Sequence, residues 1–286
     1  MSLNQYKIFR TVIDSGSFSK AAQLLGISQS AVSHAITNLE NDLGFLLLSR
    51  NRSGIKLTEN GARILEYIEK ILYLDEKMHQ EAAEIKGLEL GKVTLGTFSS
   101  ITKNWLPGII NRFHSLYPSI QIDVKEGTNN QILEWVEMGE VDLGFVHNIT
   151  KKSKYEWLLL MHDRFYKVTK QDSLQPEAPL GTAVTNKIII PAGYKAYIEP
   201  MLTPEIGVFL EMQDEQAILQ MVQRDIGITY LPGVALAELP AKLSKTPIDD
   251  ESVNFSVYLS AMMFSALSPA AEKFMATTTL WLNDNC

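Results

Sequence analysis

The chain has 286 residues, 45% hydrophobic and 21% charged, with a formal net charge of -7, which excludes a disordered chain and leaves room for two or three domains. Its single cysteine, Cys286, excludes an internal disulfide framework and suits a reducing compartment. The opening MSLNQYKIFRTVIDSG has no apolar run long enough for a signal peptide or a membrane span, so a cytoplasmic chain with no membrane partner is expected.

Charge is unevenly spread. Residues 1–60 carry six Lys or Arg against four Asp or Glu, a balance of +2, and the other 226 residues sum to -9. A small basic end on an acidic body suggests that only the first domain meets a polyanion. Within it, Leu3, Tyr6, Phe9, Val12 and Ile13 make one amphipathic helical face, ended by SGS at 15–17. A short helix follows over Phe18–Leu25, with Ala21, Ala22, Leu24 and Leu25 apolar. Gly26 then stands where a left-handed residue ends a helix.

The stretch GISQSAVSHAITNLENDLG, residues 26–44, reads as a third helix with Ser28 as its cap. Val32, Ile36, Leu39 and Leu43 form its buried stripe. The opposite face carries Gln29, Ser30, Ser33, His34 and Thr37, where an ordinary solvent face would carry Glu, Lys and Arg. Helix, three-residue turn with Gly, helix is the helix-turn-helix pattern. SRNRSGIKLTENG at 49–61 adds a turn and an alternating segment, a small β-wing bearing Arg50, Arg52 and Lys56.

Residues 59–86 predict one long helix of roughly 40 Å. Ile64, Ile68, Ile71, Asp75, Met78, Ala82 and Ile85 recur at alternating spacings of 4 and 3, an a/d seam with one polar member. A second copy of the chain is the simplest partner for it.

After residue 91 strands and helices alternate. KVTLGTF, IQIDVKE (120–126) and VDLGFV (141–146) read as strands, and 102–117 and NNQILEWVEM as helices, which implies a parallel sheet with right-handed crossovers. A similar unit recurs, with strands at 165–170, 186–191, 207–212 and 226–232 and a helix at 214–224. A late strand at 253–264 and a helix containing Pro269 close the chain. Two α/β lobes are expected.

FRTVIDSGSFSKAAQLLGISQSAVSHAITNLENDLG followed by LSRNRSGIKLTENG resembles the LysR-type transcriptional regulators of bacteria. The resemblance is strong over residues 3–61 and extends weakly to GEVDLGFV and DIGITYLP. It implies an α/β multidomain protein. Residues 1–58 would be a winged helix-turn-helix domain and 59–88 a dimerising linker helix. Residues 89–286 would be a two-lobed α/β effector domain like periplasmic binding proteins, with lobe 1 at about 92–163 and 265–286 and lobe 2 at about 164–264. It further implies homodimers or homotetramers that bind double-stranded promoter DNA and respond to a small molecule. Three positions depart from the family's habit: Leu48 where Phe is usual, His34 where a larger cationic or amide side chain is common, and Asp225 where Gly usually precedes IGI.

The third helix would then enter the major groove. Gln29 suits adenine through its paired donor and acceptor. Ser28, Ser30, Ser33, His34 and Thr37 offer short groups to bases or phosphates, and Arg50, Arg52 and Lys56 reach the backbone from the wing. Effector contacts are expected where strand ends and helix starts converge. Ser99, Ser100 and Thr102 follow the first strand, Thr128 and Asn129 the second, His147 the third, and Pro191 (in PAGY) a strand of the other lobe. Hydroxyls beside free helix N–H groups suit an anionic metabolite. No metal or cofactor is expected. The five histidines are scattered, and GxSxG, GxGxxG and phosphate-loop motifs are missing, which weighs against an enzyme. A DNA-binding protein that senses nothing and a solute-binding protein remain as alternatives.

Overall fold

The structure is a computed structural model that describes residues 1–51, 54–86, 90–148, 154–171, 187–199, 208–248 and 254–285. The chain divides into two units, Met1–Leu88 with Met138–Glu140, and Glu89–Glu137 with Val141–Cys286.

The first unit opens with three helices, α1 (Leu3–Ser15), α2 (Phe18–Leu25) and α3 (Gln29–Leu43). Each begins at a serine whose hydroxyl accepts a free backbone N–H: Ser2 from Gln5, Ser17 from Lys20, Ser28 from Ala31. Each ends at a left-handed glycine, Gly26 at φ 65° closing α2. Ile8, Phe9, Val12, Val32, Ile36 and Leu39 meet in one core, which Ile8 joins beyond the face read from sequence. Leu24 is not part of the core, being 72% exposed.

Strands β1 (Leu48–Asn51) and β2 (Gly54–Leu57) form an antiparallel hairpin, the wing. Leu48 is buried, so the usual Phe has been exchanged for another core residue. The hairpin is clamped at its base. Glu40 Oε1 accepts the backbone N–H groups of Leu47 and Leu48 at 2.8 and 3.1 Å. The Thr58 hydroxyl donates to Leu46 O at 2.8 Å and accepts from Gly61 N at 2.8 Å. Gly61 has no room for a Cβ, which would run into the Leu47 carbonyl.

The long helix α4 covers Glu59–Ile85. Its expected seam divides in two. Ile68 is buried and Ile64 packs on the same core, so both hold α4 to its own unit and are corrected as seam residues. Two ion pairs add to this: Arg10 with Glu69, and Lys7 with Asp75 at 3.1 Å. Asp75 is therefore the partner of α1 rather than a polar break in a dimer seam. Ile71 and Leu74 just before it and Met78 and Ile85 beyond it are exposed, Ile85 at 79%.

The second unit has two sheets that share one strand. In lobe 1, β3 (Gly91–Thr97) lies parallel to β4 (Ile120–Glu126) and to β5 (Leu143–His147). β11 (Asn254–Ala261) pairs antiparallel with β5 and with the first part of β6 (Glu156–Lys170), giving the order β4-β3-β5-β11-β6. In lobe 2 the last part of β6 lies antiparallel between β9 (Thr229–Pro232) and β10 (Leu243–Pro247). β7 (Ile188–Pro191) is bridged in parallel to the chain entering β9 and pairs in parallel with β8 (Val208–Met212). The two lobes thus repeat one plan: a parallel group followed by antiparallel return strands.

Three expectations are corrected. The helix at 102–117 is two helices, α5 (Ser99–Asn104) and α6 (Leu106–Leu116), because Pro107 cannot donate and starts a new helix. The strand expected at 165–170 starts at Glu156. The return to lobe 1 comes with β11 at Asn254, not at 265, since β11 pairs with β5. Helices α7 (Asn129–Met138), α8 (Lys195–Ile198), α9 (Glu215–Gln223) and α10 (Pro269–Asn285) complete the unit. Asp225, at φ 62°, occupies the left-handed position that makes Gly usual there; Asp tolerates it better than most residues. No helix of the described residues is long and apolar enough to cross a membrane.

Candidate functional site

Two places in the chain have the chemistry of a site. The first is the exposed face of α3. Gln29, Ser30, His34 and Thr37 are exposed and Ser33 is half-buried; Asn41, one turn past Thr37 and unremarked in the sequence reading, extends the same uncharged strip. Ser28 is engaged as the cap and pairs with Ser30 Oγ at 2.9 Å. Gln29 Oε1 accepts from Ser19 at 3.1 Å, so α2 helps to fix how Gln29 projects. Among the described residues, the side chains of Ser33, His34 and Thr37 have no hydrogen-bond partner in the chain. Lys56 is exposed on β2, opposite Ser49. Arg50 lies on β1, and Arg52 falls outside the described residues. Arg10 bridges Asp14 and Glu69.

The second is a cleft of about 530 Å³ between the lobes of the second unit. It forms where parallel strands end, as α/β geometry requires. Ser99 comes from the end of β3, Thr128 and Asn129 from the end of β4, His147 from β5, and Pro191 from β7, and all five line it. Ser100 and Thr102 do not. Thr102 Oγ1 donates to Phe98 O at 3.2 Å within its own helix. Ser100 points behind the wall, where its hydroxyl donates to Glu215 Oε1 at 2.7 Å and lies 2.9 Å from the Tyr194 hydroxyl. Ser100 has a single proton, so with Glu215 as its acceptor Tyr194 is the donor of the other bond.

Two of the helix starts at the cleft are capped by side chains. Thr128 and Gln131 cap α7 reciprocally, at 2.9 and 3.4 Å. Asp214 caps α9 by accepting from Gln216 N and Ala217 N. Asn129 Oδ1 accepts from His147 N at 2.8 Å, which ties α7 to β5. His147 itself is buried among Phe98, Tyr194, Tyr197 and Phe255, with ring centroids 5.1 to 5.8 Å away. Burial pushes its pKa down to about 4, so the ring is neutral at pH 7. The Glu215 carboxyl is raised by burial, opposed by the Ser100 hydrogen bond and the charge of Lys103. Burial, with Glu215 next, pushes the Tyr194 phenol well above its ordinary range.

Sequence reading missed Phe98, Lys103, Glu126, Asp214 and Glu215 on the cleft wall. The signal for Asp214 was present: it stands between a strand ending at 212 and a helix starting at 215. The wall also carries more negative charge than an anionic ligand leads one to expect. Asp225 is not part of the wall, so that departure does not shape the cleft.

Comparison with known proteins covers both units. The model described as "Bacterial regulatory helix-turn-helix protein, lysR family" matches residues 3–62, and "LysR substrate binding domain" matches 86–280. The chain is 32% identical over 254 residues to YvbU of Bacillus subtilis (strain 168), an uncharacterized HTH-type transcriptional regulator, covering 84% of each. It is 29% identical to YbhD of Escherichia coli (strain K12), over 99% of this chain and 92% of that one. Its fold is similar to a full-length OxyR variant from Pseudomonas aeruginosa (TM-score 0.76, 18% identity, 99% and 95% of the chains). It is also similar to CbnR complexed with its target DNA (TM-score 0.63, 20% identity, 98% and 100%). The chain therefore belongs to the LysR family: it is a DNA-binding transcriptional regulator, not an enzyme, and its larger part is a substrate-binding domain for small-molecule effectors.

Proposed function

We propose that this regulator reads promoter DNA as a homodimer, with α3 in the major groove and the wing on the phosphate backbone. Residues 1–58 form the reading domain, 59–88 the dimerising helix and 89–286 the effector domain. The observation that carries this is the α3 face: exposed, hydroxyl-rich, without a single acidic side chain from Gln29 to Leu39, and with His34 and Thr37 free of partners among the described residues. An acidic side chain there would be repelled by phosphates, whereas short neutral groups approach base edges closely. Few cations are available per protomer, so one copy binds weakly and a pair binds better by reading two half-sites. CbnR, similar in fold, is known in complex with its target DNA. The exposed apolar residues of α4 from Ile71 onward support pairing through that helix, and two dimers could combine into a tetramer by further contacts. A chain that reads promoters works in the cytoplasm. A small molecule seated between the lobes adjusts DNA binding.

The test is selection of random duplexes by the full-length protein, followed by sequencing. An enriched inverted repeat with half-sites about one helical turn apart is expected. A pool with no enriched motif would overturn the reading.

A further inference from the structure

We propose that the effector carries a cationic nitrogen group, an ammonium or guanidinium, seated against Glu126 and Asp214 in the inter-lobe cleft. The inference rests on the cleft being the effector site and names the class of molecule it takes.

Charge is the first argument. Among the described residues, three carboxylates and one lysine line the cleft, and no arginine does. Lys103 stands 3.9 Å from Asp214, so its charge already faces a carboxylate. His147 adds no positive charge, because burial keeps it neutral.

The second argument concerns where an anion would go. Backbone N–H groups at helix starts are the usual anion sites in such a fold. Of the four helix starts that open onto this cleft among the described residues, α7 is answered by Thr128 with Gln131 and α9 by Asp214. α9 also places Glu215 in its first turn. The other two, the six-residue α5 and the single turn at Ala192–Tyr194, have no side-chain cap and are short.

The third argument is independent of charge. His147 is 4% exposed yet lines the cleft. Its Nδ1 is engaged with the Tyr197 hydroxyl at 3.0 Å, and among the described residues Nε2 has no partner. Nε2 is not among the fully buried unpaired atoms of the described residues, so it opens onto the cleft, where a ligand or water can complete it. Beside it the rings of Phe98 and Tyr194 form part of the wall. Aromatic faces next to carboxylates attract a desolvated cation. The volume suits a small molecule of modest length.

Titration calorimetry on the full-length protein tests this with agmatine and 1,4-diaminobutane as cationic probes. Succinate is the anionic probe and 1,4-butanediol the neutral one. The cationic probes are expected to bind and the other two not. The double variant Glu126→Gln/Asp214→Asn should weaken cation binding at least tenfold; Asn at 214 keeps the helix cap, so a fold defect is not expected to mimic the loss. Thermal unfolding of the variant checks that point. Binding of succinate alone would overturn the proposal and leave the effector reading standing. Cation binding that the double variant does not weaken would also overturn it. If no probe binds, the proposal falls, while the effector reading stands on the match to the substrate-binding domain.

Discussion

The Ser100 hydroxyl donates to the Glu215 carboxylate at 2.7 Å, joining a helix of lobe 1 to the first turn of a helix in lobe 2. Both side chains are buried, so neither can turn to water for a substitute. Replacement of Ser100 by Ala should lower stability by about 1–3 kcal/mol, the usual result of stripping a partner from a buried charged group. Ser100→Ala combined with Glu215→Gln should recover part of that loss, since an amide carries no charge to desolvate. Urea unfolding of the wild type and both variants measures the difference. Equal losses in the two variants would show that the carboxylate charge is not what the serine serves.

His147 should make the effector domain sensitive to mild acid. In the unfolded chain its pKa is near 6.5, and in the folded chain it is about 4. Between those values the unfolded state binds a proton that the folded state does not, so stability falls as pH is lowered through that window. From pH 6.5 to 4.5 the difference is about 2–3 kcal/mol. Glu215, raised in the folded state, works in the opposite direction. The comparison is therefore between wild type and His147→Asn, whose unfolding curves should converge as pH drops toward 4.5. A constant gap would mean that His147 titrates normally.

Gly61 tests the clamp at the base of the wing. Glycine to alanine inside a helix ordinarily stabilises by up to about 1 kcal/mol. Here the new Cβ collides with the Leu47 carbonyl, which is held in place by Thr58. A loss of about 1–3 kcal/mol is expected in its place. Calorimetry should place that loss in the transition of the N-terminal unit; a stabilised Gly61→Ala variant would show that the hairpin gives way freely.

DNA contacts should divide by type. Gln29→Ala should relax base preference by about 1–3 kcal/mol at one position per half-site. Arg52→Ala and Lys56→Ala should weaken binding to all sequences and reduce the salt slope by about 1 each. Fluorescence anisotropy with selected and scrambled duplexes, over a range of salt, separates the two. If all three variants lost affinity equally on both duplexes, the division between reading and anchoring would be wrong.

Association through α4 should depend on its exposed residues alone. Ile71→Asp with Met78→Asp should shift sedimentation toward the monomer without unfolding the domain. Ile68→Ala should instead lower stability by about 2–5 kcal/mol, as for a buried aliphatic truncation. A dimer that survives the double aspartate variant must pair elsewhere.

Much of the N-terminal unit was legible because each helix advertises both ends. Serine caps, left-handed glycines and a clear apolar stripe lie at short range, and all are local chemistry. Glu40 and Gly61 were visible as motif letters, but their task depends on a hairpin folding back onto them. The α4 seam shows what periodicity cannot decide. The 4-and-3 spacing continues unbroken while the partner changes, from α1 and the wing at Ile64 and Ile68 to open surface beyond Asp75.

In the effector domain, residues just after strands were found because strand ends converge in any such fold. Ser99 and Ser100 are neighbours with the same side chain, and only the phase of α5 sends one to the cleft and the other behind it. Glu126 and Glu215 carry no local signal, since what brings them to one cleft is a lobe pairing that no local pattern records. The first half of β6 went unseen because Trp157, Leu158 and Leu159 interrupt any alternation.

β6 belongs to both sheets, from Glu156–Arg164 beside β11 to Phe165–Lys170 between β9 and β10. Mechanically it is a torsion bar. Any change in the angle between the lobes has to be taken up in part as twist or bend in that strand. A single stiffening substitution near Arg164 and Phe165 would therefore be felt by both halves.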